Sequence, residues 1–179
     1  MQGDTATCRA NEVDTVTPAI KQNALPWLGL SASMIAIDQW TKWLAVGHLA
    51  FQQPVPVIDG FWNWNLTHNT GAAFSFLAQA GGWQHAFFIG LALLISVTLA
   101  FWLGRTARGE WRTALPFALI IAGALGNVVD RFRLGYVVDF IEWYYHSFHW
   151  PVFNVADSCI VVGATLMVLF NFASKEKQP

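Results

Sequence analysis

The chain is predicted to be an all-α integral membrane protein: four transmembrane helices, a small extracytoplasmic β-rich region and a connecting loop. Three observations carry this prediction. Hydrophobic residues make up 55% of the 179 and charged residues only 12%, with a mean hydropathy of +0.40. A soluble domain carries roughly 25% charged residues, so much of this surface must face something other than water. Apolar runs close to the ~20 residues needed to cross a hydrocarbon core recur four times, and the basic residues gather at alternate ends of those runs.

At this length one domain is expected, covering 24–173 between a polar tail and a short basic one. The formal net charge of -1 offers no basic stripe, so a nucleic-acid partner is excluded. Cys8 lies in the polar tail and Cys159 in an apolar run, and no disulfide is expected between them. The five His are scattered, His146 and His149 being the one close pair, and no Cys/His spacing matches a metal site. Neither a metal nor a cofactor is expected.

Residues 1–23 are polar and mildly acidic. They lack the apolar core and cleavage site of a signal peptide and are expected to be a disordered tail. The first span is placed at 25–46. It contains Asp38 and Lys42, whose i, i+4 spacing sets them on one helical face, where they can pair and lower each other's burial cost. An ion pair that orients the helix is the favoured reading. From His48 to Trp83 there is no Lys or Arg. Pro54 and Pro56 break any helix, and Phe61 to Asn69 alternates apolar and polar residues as a half-exposed strand does. Trp62, Trp64 and Trp83 suit an aromatic belt at headgroup level. Asn69-Thr70-Gly71 reads as a turn, with Asn69 either bonding its own backbone or aimed at a ligand.

The second span is placed at 85–103, without charge, and is followed by Arg105, Arg108 and Arg112. The third is placed at about 113–130, started or kinked by Pro116, and the fourth at 152–172, before a basic tail at 174–179 with Lys175 and Lys177. Arg9 and Lys21, the central arginines and the C-terminal lysines all flank one side of a four-span chain. The positive-inside rule puts that side, with both termini, in the cytoplasm. The 51–82 region and the 132–150 connection then face outward.

Polar residues collect at that outer boundary. An apolar run ends in Gly126, Asn127, Asp130 and Arg131, the connection carries Asp139 in a strand-like, apolar Val-Val-Asp-Phe run, and the last run opens with Asn154 and Asp157. Ionisable groups at such depth point to a functional site, although each alone could be an interfacial residue, an ion pair or, for Asp157, a partner of a helix N-terminus. Two carboxylates in a partly desolvated place cannot both ionise cheaply. They titrate as a unit and serve as general base and general acid for hydrolysis. No Ser or Cys with a base partner is evident, Ser158 and Cys159 included. Which two of Asp130, Asp139 and Asp157 form the pair stays open on these grounds. A proton-conducting bundle or assembly factor is the rival from another class, and a lipid acyltransferase a third.

Five motifs stand in order at the ends of the apolar runs: Asp38 and Lys42 in DQWTK, Asn69, Gly71 and Ala73 in NTGAAFS, the segment GALGNVVDR, then GYVVDFI and FNVAD. In these the chain resembles the bacterial lipoprotein signal peptidases (signal peptidase II), four-span aspartic peptidases of the inner membrane. The resemblance implies that Asp139 and Asp157 are the catalytic pair. It implies that Asn69, Gly71, Asn127, Arg131 and Asn154 line the substrate site, with Asp38, Lys42, Asp130 and Ala156 in support. It also implies the substrate, a prolipoprotein whose cysteine already bears a diacylglyceryl group, cut just before that cysteine. Membrane lipids surround the enzyme, which is expected to act as a monomer. The 51–82 region is expected to clamp the substrate, and the 132–150 connection, rich in Trp and Tyr, to act as a lid that excludes water.

Overall fold

The computed structural model describes residues 23–71 and 83–175. The tail to residue 22 with Cys8, Arg9 and Lys21, the part of the NTGAAFS motif that contains Ala73, and Lys177 lie outside the described residues. A 3-10 turn at Leu25–Trp27, with Pro26 in its first positions, leads into α1 (Leu28–His48). Strands β1 (Val55–Ile58) and β2 (Trp62–Asn69) come next, followed by α2 (Trp83–Arg105) and α3 (Trp111–Leu134). The chain closes with β3 (Val137–Tyr145), β4 (Phe148–His149) and α4 (Val155–Lys175).

Among the described residues, α2 and α3 are the two helices long and apolar enough to cross a membrane, by length and composition. In α2 only 17% of the most apolar window is buried, and Leu94 and Val97 point outward. A soluble core helix would be enclosed. The ionisable and amide side chains of Asp38, Gln39 and Lys42 dilute the hydropathy of α1. Pro116, expected to start or kink a span, lies buried inside α3. That helix continues past Asp130 through Arg131 and Arg133 to Leu134. It stops at Gly135, whose φ of +78° is the left-handed conformation glycine takes without penalty, and whose N–H returns to the Arg131 carbonyl.

Packing centres on α3, which lies against α1, α2 and most extensively α4. Small residues make this possible. A Cβ on Gly123 would run into the Ala156 carbonyl, one on Gly126 would lie 2.9 Å from Asp38 Oδ2, and one on Gly163 would lie 2.9 Å from the Pro116 carbonyl. Close backbone approach through Gly and Ala is how apolar helices gain packing where lipid offers no hydrophobic drive.

The four strands form one antiparallel sheet in the order β1-β2-β3-β4. The 132–150 connection, expected to be a connecting loop with a strand-like run around Asp139, is therefore largely strand. Val137, Val138, Asp139 and Phe140 are all buried, so the segment lacks the alternation that marks a half-exposed strand, and β2 claims it by pairing Thr67 with Asp139 and Asn69 with Val137. Ile141 continues the sheet to Phe153, just before α4. The sheet lies at the end of the bundle where α1 and α3 finish and α4 begins. At the opposite end, the Ala24 N–H bonds the carbonyls of Leu103 and Thr106, which ties the start of α1 to the α2–α3 turn.

Candidate active site

The site forms where β2, β3, the C-terminal turns of α1 and α3, and the first turn of α4 converge. Its organising residue is Asn154. It precedes α4 and caps it: Asn154 Oδ1 accepts the Asp157 N–H at 2.8 Å, while Asp157 Oδ2 accepts the Asn154 N–H at 3.2 Å. This reciprocal pair satisfies donors that a helix start leaves free. A third backbone donor in that turn, the Ala156 N–H, goes to Asp38 Oδ1 at 2.9 Å, across from α1. Ala156 must stay small because Gly126 approaches it so closely.

The carboxamide of Asn154, fully buried, reaches the other way. Its Nδ2 donates to Asp139 Oδ1 at 2.7 Å and to Asn127 Oδ1 at 3.1 Å. Asn127 Nδ2 in turn donates to Asp157 Oδ1 at 2.7 Å. Asp139 Oδ2 accepts from Asn69 Nδ2 at 3.1 Å, and Asn69 Oδ1 accepts the Gly71 N–H at 3.0 Å. Asn69 thus makes the local turn that its sequence suggests and, in addition, bonds Asp139. Burial, reinforced by the negative charge of Asp157, pushes the Asp139 carboxyl up to about 7, although the hydrogen bonds from Asn69 and Asn154 pull the other way.

Asp130 is held apart from this pair. Its Oδ2 meets Lys42 Nζ at 2.9 Å and accepts the Val138 N–H at 3.1 Å, and its Oδ1 accepts from Gln39 Nε2 at 2.8 Å. Lys42 Nζ also lies 2.9 Å from Asp38 Oδ2 and donates to Asn127 Oδ1 at 3.0 Å. The spacing of Asp38 and Lys42 does yield an ion pair. The pair is not remote from the interfacial cluster, however. Asp130 closes it from α3 and Asp38 caps α4, so one buried network contains them all. Arg131 Nη2 donates to the Gly71 carbonyl at 3.0 Å, and its guanidinium sits 5.2 Å from the centre of the Phe88 ring. Its buried Nε has no partner among the described residues.

Two participants were not legible beforehand. Gln39 bridges Asp38, the Gly126 carbonyl and Asp130, and its only local signal is adjacency to Asp38. On the sheet, buried Glu142 accepts from Asn63 Nδ2 at 3.0 Å and pairs with His149 Nδ1 at 3.0 Å. Ser158 Oγ donates back to the Asn154 carbonyl at 3.0 Å. Among the described residues no group of His, Cys, Asp and Glu could hold a metal ion.

A family model described as Signal peptidase (SPase) II matches residues 30–173. The lipoprotein signal peptidase of Xanthomonas campestris pv. campestris (strain 8004) is 61% identical over 148 residues, 83% of this chain and 89% of that protein. The one from Xanthomonas axonopodis pv. citri (strain 306) is 59% identical over 157 residues, 87% and 91% of the two chains. That of Xylella fastidiosa (strain M12) is 59% identical over 160 residues, 88% and 96%. A solved structure of a bacterial membrane enzyme superposes with a TM-score of 0.76 at 27% identity, covering 88% of this chain and 94% of the other.

Proposed function

The chain belongs to the signal peptidase II family, and we propose that Asp139 and Asp157 are the catalytic dyad of its aspartic peptidase site. It is an integral membrane endopeptidase that removes the signal peptide from prolipoproteins. The observation that carries the assignment is the double role of Asn154, which caps the helix bearing Asp157 and bonds the carboxylate of Asp139. Each aspartate accepts two side-chain or backbone donors, and Asp130 is committed to Lys42 and Gln39 instead.

Linked through the carboxamides of Asn154 and Asn127, the two carboxylates carry one proton between them near neutrality. The ionised member takes a proton from a water as that water adds to the scissile carbonyl carbon. The protonated member hydrogen-bonds and then protonates the carbonyl oxygen. Collapse of the tetrahedral adduct breaks the C–N bond, and the dyad delivers a proton to the departing nitrogen, leaving a new carboxylate and a new amine. Asn69, Gly71, Asn127, Arg131 and Asn154 form the substrate side, and the unpaired Nε–H of Arg131 is a donor for a substrate carbonyl.

The substrate in this reading is a diacylglyceryl-modified prolipoprotein, cut just before its lipid-bearing cysteine. Four spans carry the site at the periplasmic face of the inner membrane, with both termini cytoplasmic. The joining of Ala24 to the α2–α3 turn, where Arg105, Arg108 and Arg112 gather, supports that orientation. The enzyme works as a monomer within the membrane lipids. A proton relay would distribute ionisable residues through the bilayer, whereas here only Asp38 and Lys42 sit well inside a span and Asp130, Arg131, Asp139 and Asp157 collect at one boundary. The test is cleavage of a diacylglyceryl-modified prolipoprotein and its unmodified form by the purified protein in micelles. Release of a product beginning with the lipidated cysteine is expected from the first alone. No cleavage of the modified form would refute the reading.

A further inference from the structure

Lys42 is a buried ammonium with three donors and no acceptor. An ion pair that merely orients a helix needs its carboxylates, and two of the three donors go there, to Asp38 Oδ2 and Asp130 Oδ2, each at 2.9 Å. The third points at the site: Lys42 Nζ donates to Asn127 Oδ1 at 3.0 Å, and the same carboxamide donates through Nδ2 to Asp157 Oδ1 at 2.7 Å. Because a lysine can only donate, the atom facing it must be the amide oxygen. Asn127 is thereby locked with its N–H₂ toward Asp157. Asn154 Nδ2, itself oriented by capping α4, donates to the same oxygen at 3.1 Å and to Asp139 Oδ1 at 2.7 Å. One amide dipole therefore connects a buried cation to both aspartates.

We propose that Lys42 is a positioning residue for the peptidase reaction: acting through Asn127, its ammonium sets the geometry and the charge balance of the Asp139–Asp157 pair. This rests on the dyad assignment made above. The charged groups facing Lys42 are Asp38 from α1, Asp130 from α3 and, through Asn127, Asp157 from α4 and Asp139 from β3; Arg131 adds a second cation near the pair. The positive field of Lys42 opposes protonation of Asp139, while Asp38 and Asp130 blunt that field. Removing the cation should shift both limbs of the pH–activity profile upward, and removing one blunting carboxylate should shift them downward. An opposite charge within ~4–6 Å moves a carboxylate by about 1–3 pH units; Lys42 acts from behind Asn127 and is partly neutralised, so the expected shift is at the lower end, about one unit.

The experiment is the pH profile of kcat/KM, in micelles, on a diacylglyceryl-modified prolipoprotein. Wild type is compared with Lys42→Met, Lys42→Arg and Asp130→Asn. Lys42→Met is expected to lose at least tenfold at neutral pH and to carry its limbs about one unit higher. Lys42→Arg is expected to keep the wild-type limbs, and Asp130→Asn, with Gln39 free to turn its amide, to carry them lower. If Lys42→Met does not fold, Asp130→Asn still decides the matter. Folded variants that lose activity equally at every pH, with limbs unmoved, would overturn the proposal and leave the peptidase intact. Wild type inert at every pH would instead remove the dyad reading and this proposal with it.

Discussion

Adding one methyl group at Gly126 should disable the enzyme without touching either aspartate. A Cβ there would stand 2.9 Å from Asp38 Oδ2 and 3.1 Å from Ala156 Cβ, the first about 0.6 Å inside the ~3.5 Å of a comfortable contact. Neither neighbour can yield freely. Asp38 holds Lys42 and the Ala156 N–H, and Ala156 sits between Val155 and Asp157 in the first turn of α4. Overpacking of this kind costs about 1–3 kcal/mol, partly offset by roughly 1 kcal/mol of helix propensity gained when Ala replaces Gly. Gly126→Ala should therefore lose no more than about 2 kcal/mol. The catalytic loss should be larger, because a displacement of about 1 Å in a reacting group can cost on the order of 100-fold. Gly90→Ala in α2 meets nothing within 4 Å and serves as the control, expected to hold or raise the unfolding temperature. The assay is thermal unfolding in micelles together with kcat/KM on the lipid-modified substrate. If Gly126→Ala melts and cleaves like Gly90→Ala, the coupling of helix packing to the site is wrong.

The raised proton affinity of Asp139 links the site to stability. Its carboxyl rises from an ordinary 3.8 to about 7 in the folded state. Its contribution is therefore fully present below pH 3.8 and is lost as pH climbs through about 7, by at most about 4 kcal/mol. Asp139→Asn cannot ionise, so its unfolding temperature relative to wild type should rise between pH 4 and pH 8; a constant difference would contradict the burial argument. On the sheet, Glu142→Ala strands the buried amide of Asn63 and releases His149, and should cost about 1–3 kcal/mol. Glu142→Gln should cost clearly less, and equal melting of the two would show that the hydrogen bonds there contribute nothing.

Much of this arrangement was legible because it follows local rules. Each of the four apolar runs overlaps one of the four α-helices, and the i, i+4 spacing of Asp38 and Lys42 does produce their ion pair. Asp157 in a first helical turn does meet a cap. What escaped depended on contacts far apart in sequence. Nothing near Lys42 announces that Asp130 completes its coordination, or that Asp38 caps a helix 118 residues later. The Val-Val-Asp-Phe run reads as strand-like, and it does open β3, but the strand's full extent to Tyr145 and its pairing with β2 carry no local signal, because its first half is buried on both faces and lacks a period of two. Gln39 and Glu142 gave no signal for the same reason: their partners are chosen by packing and by cross-strand register. Asn154 shows the limit best, since its place before an apolar run predicts a cap, while its second bond, to Asp139, exists only in the folded chain.

The most direct test of the whole account is cleavage of a diacylglyceryl-modified prolipoprotein by Asp139→Asn, Asp157→Asn and Asp130→Asn, each shown folded by its melting curve. Inactive Asp139→Asn and Asp157→Asn, with measurable turnover in Asp130→Asn, is the predicted result. Normal cleavage by Asp139→Asn, with none by Asp130→Asn, would contradict the dyad.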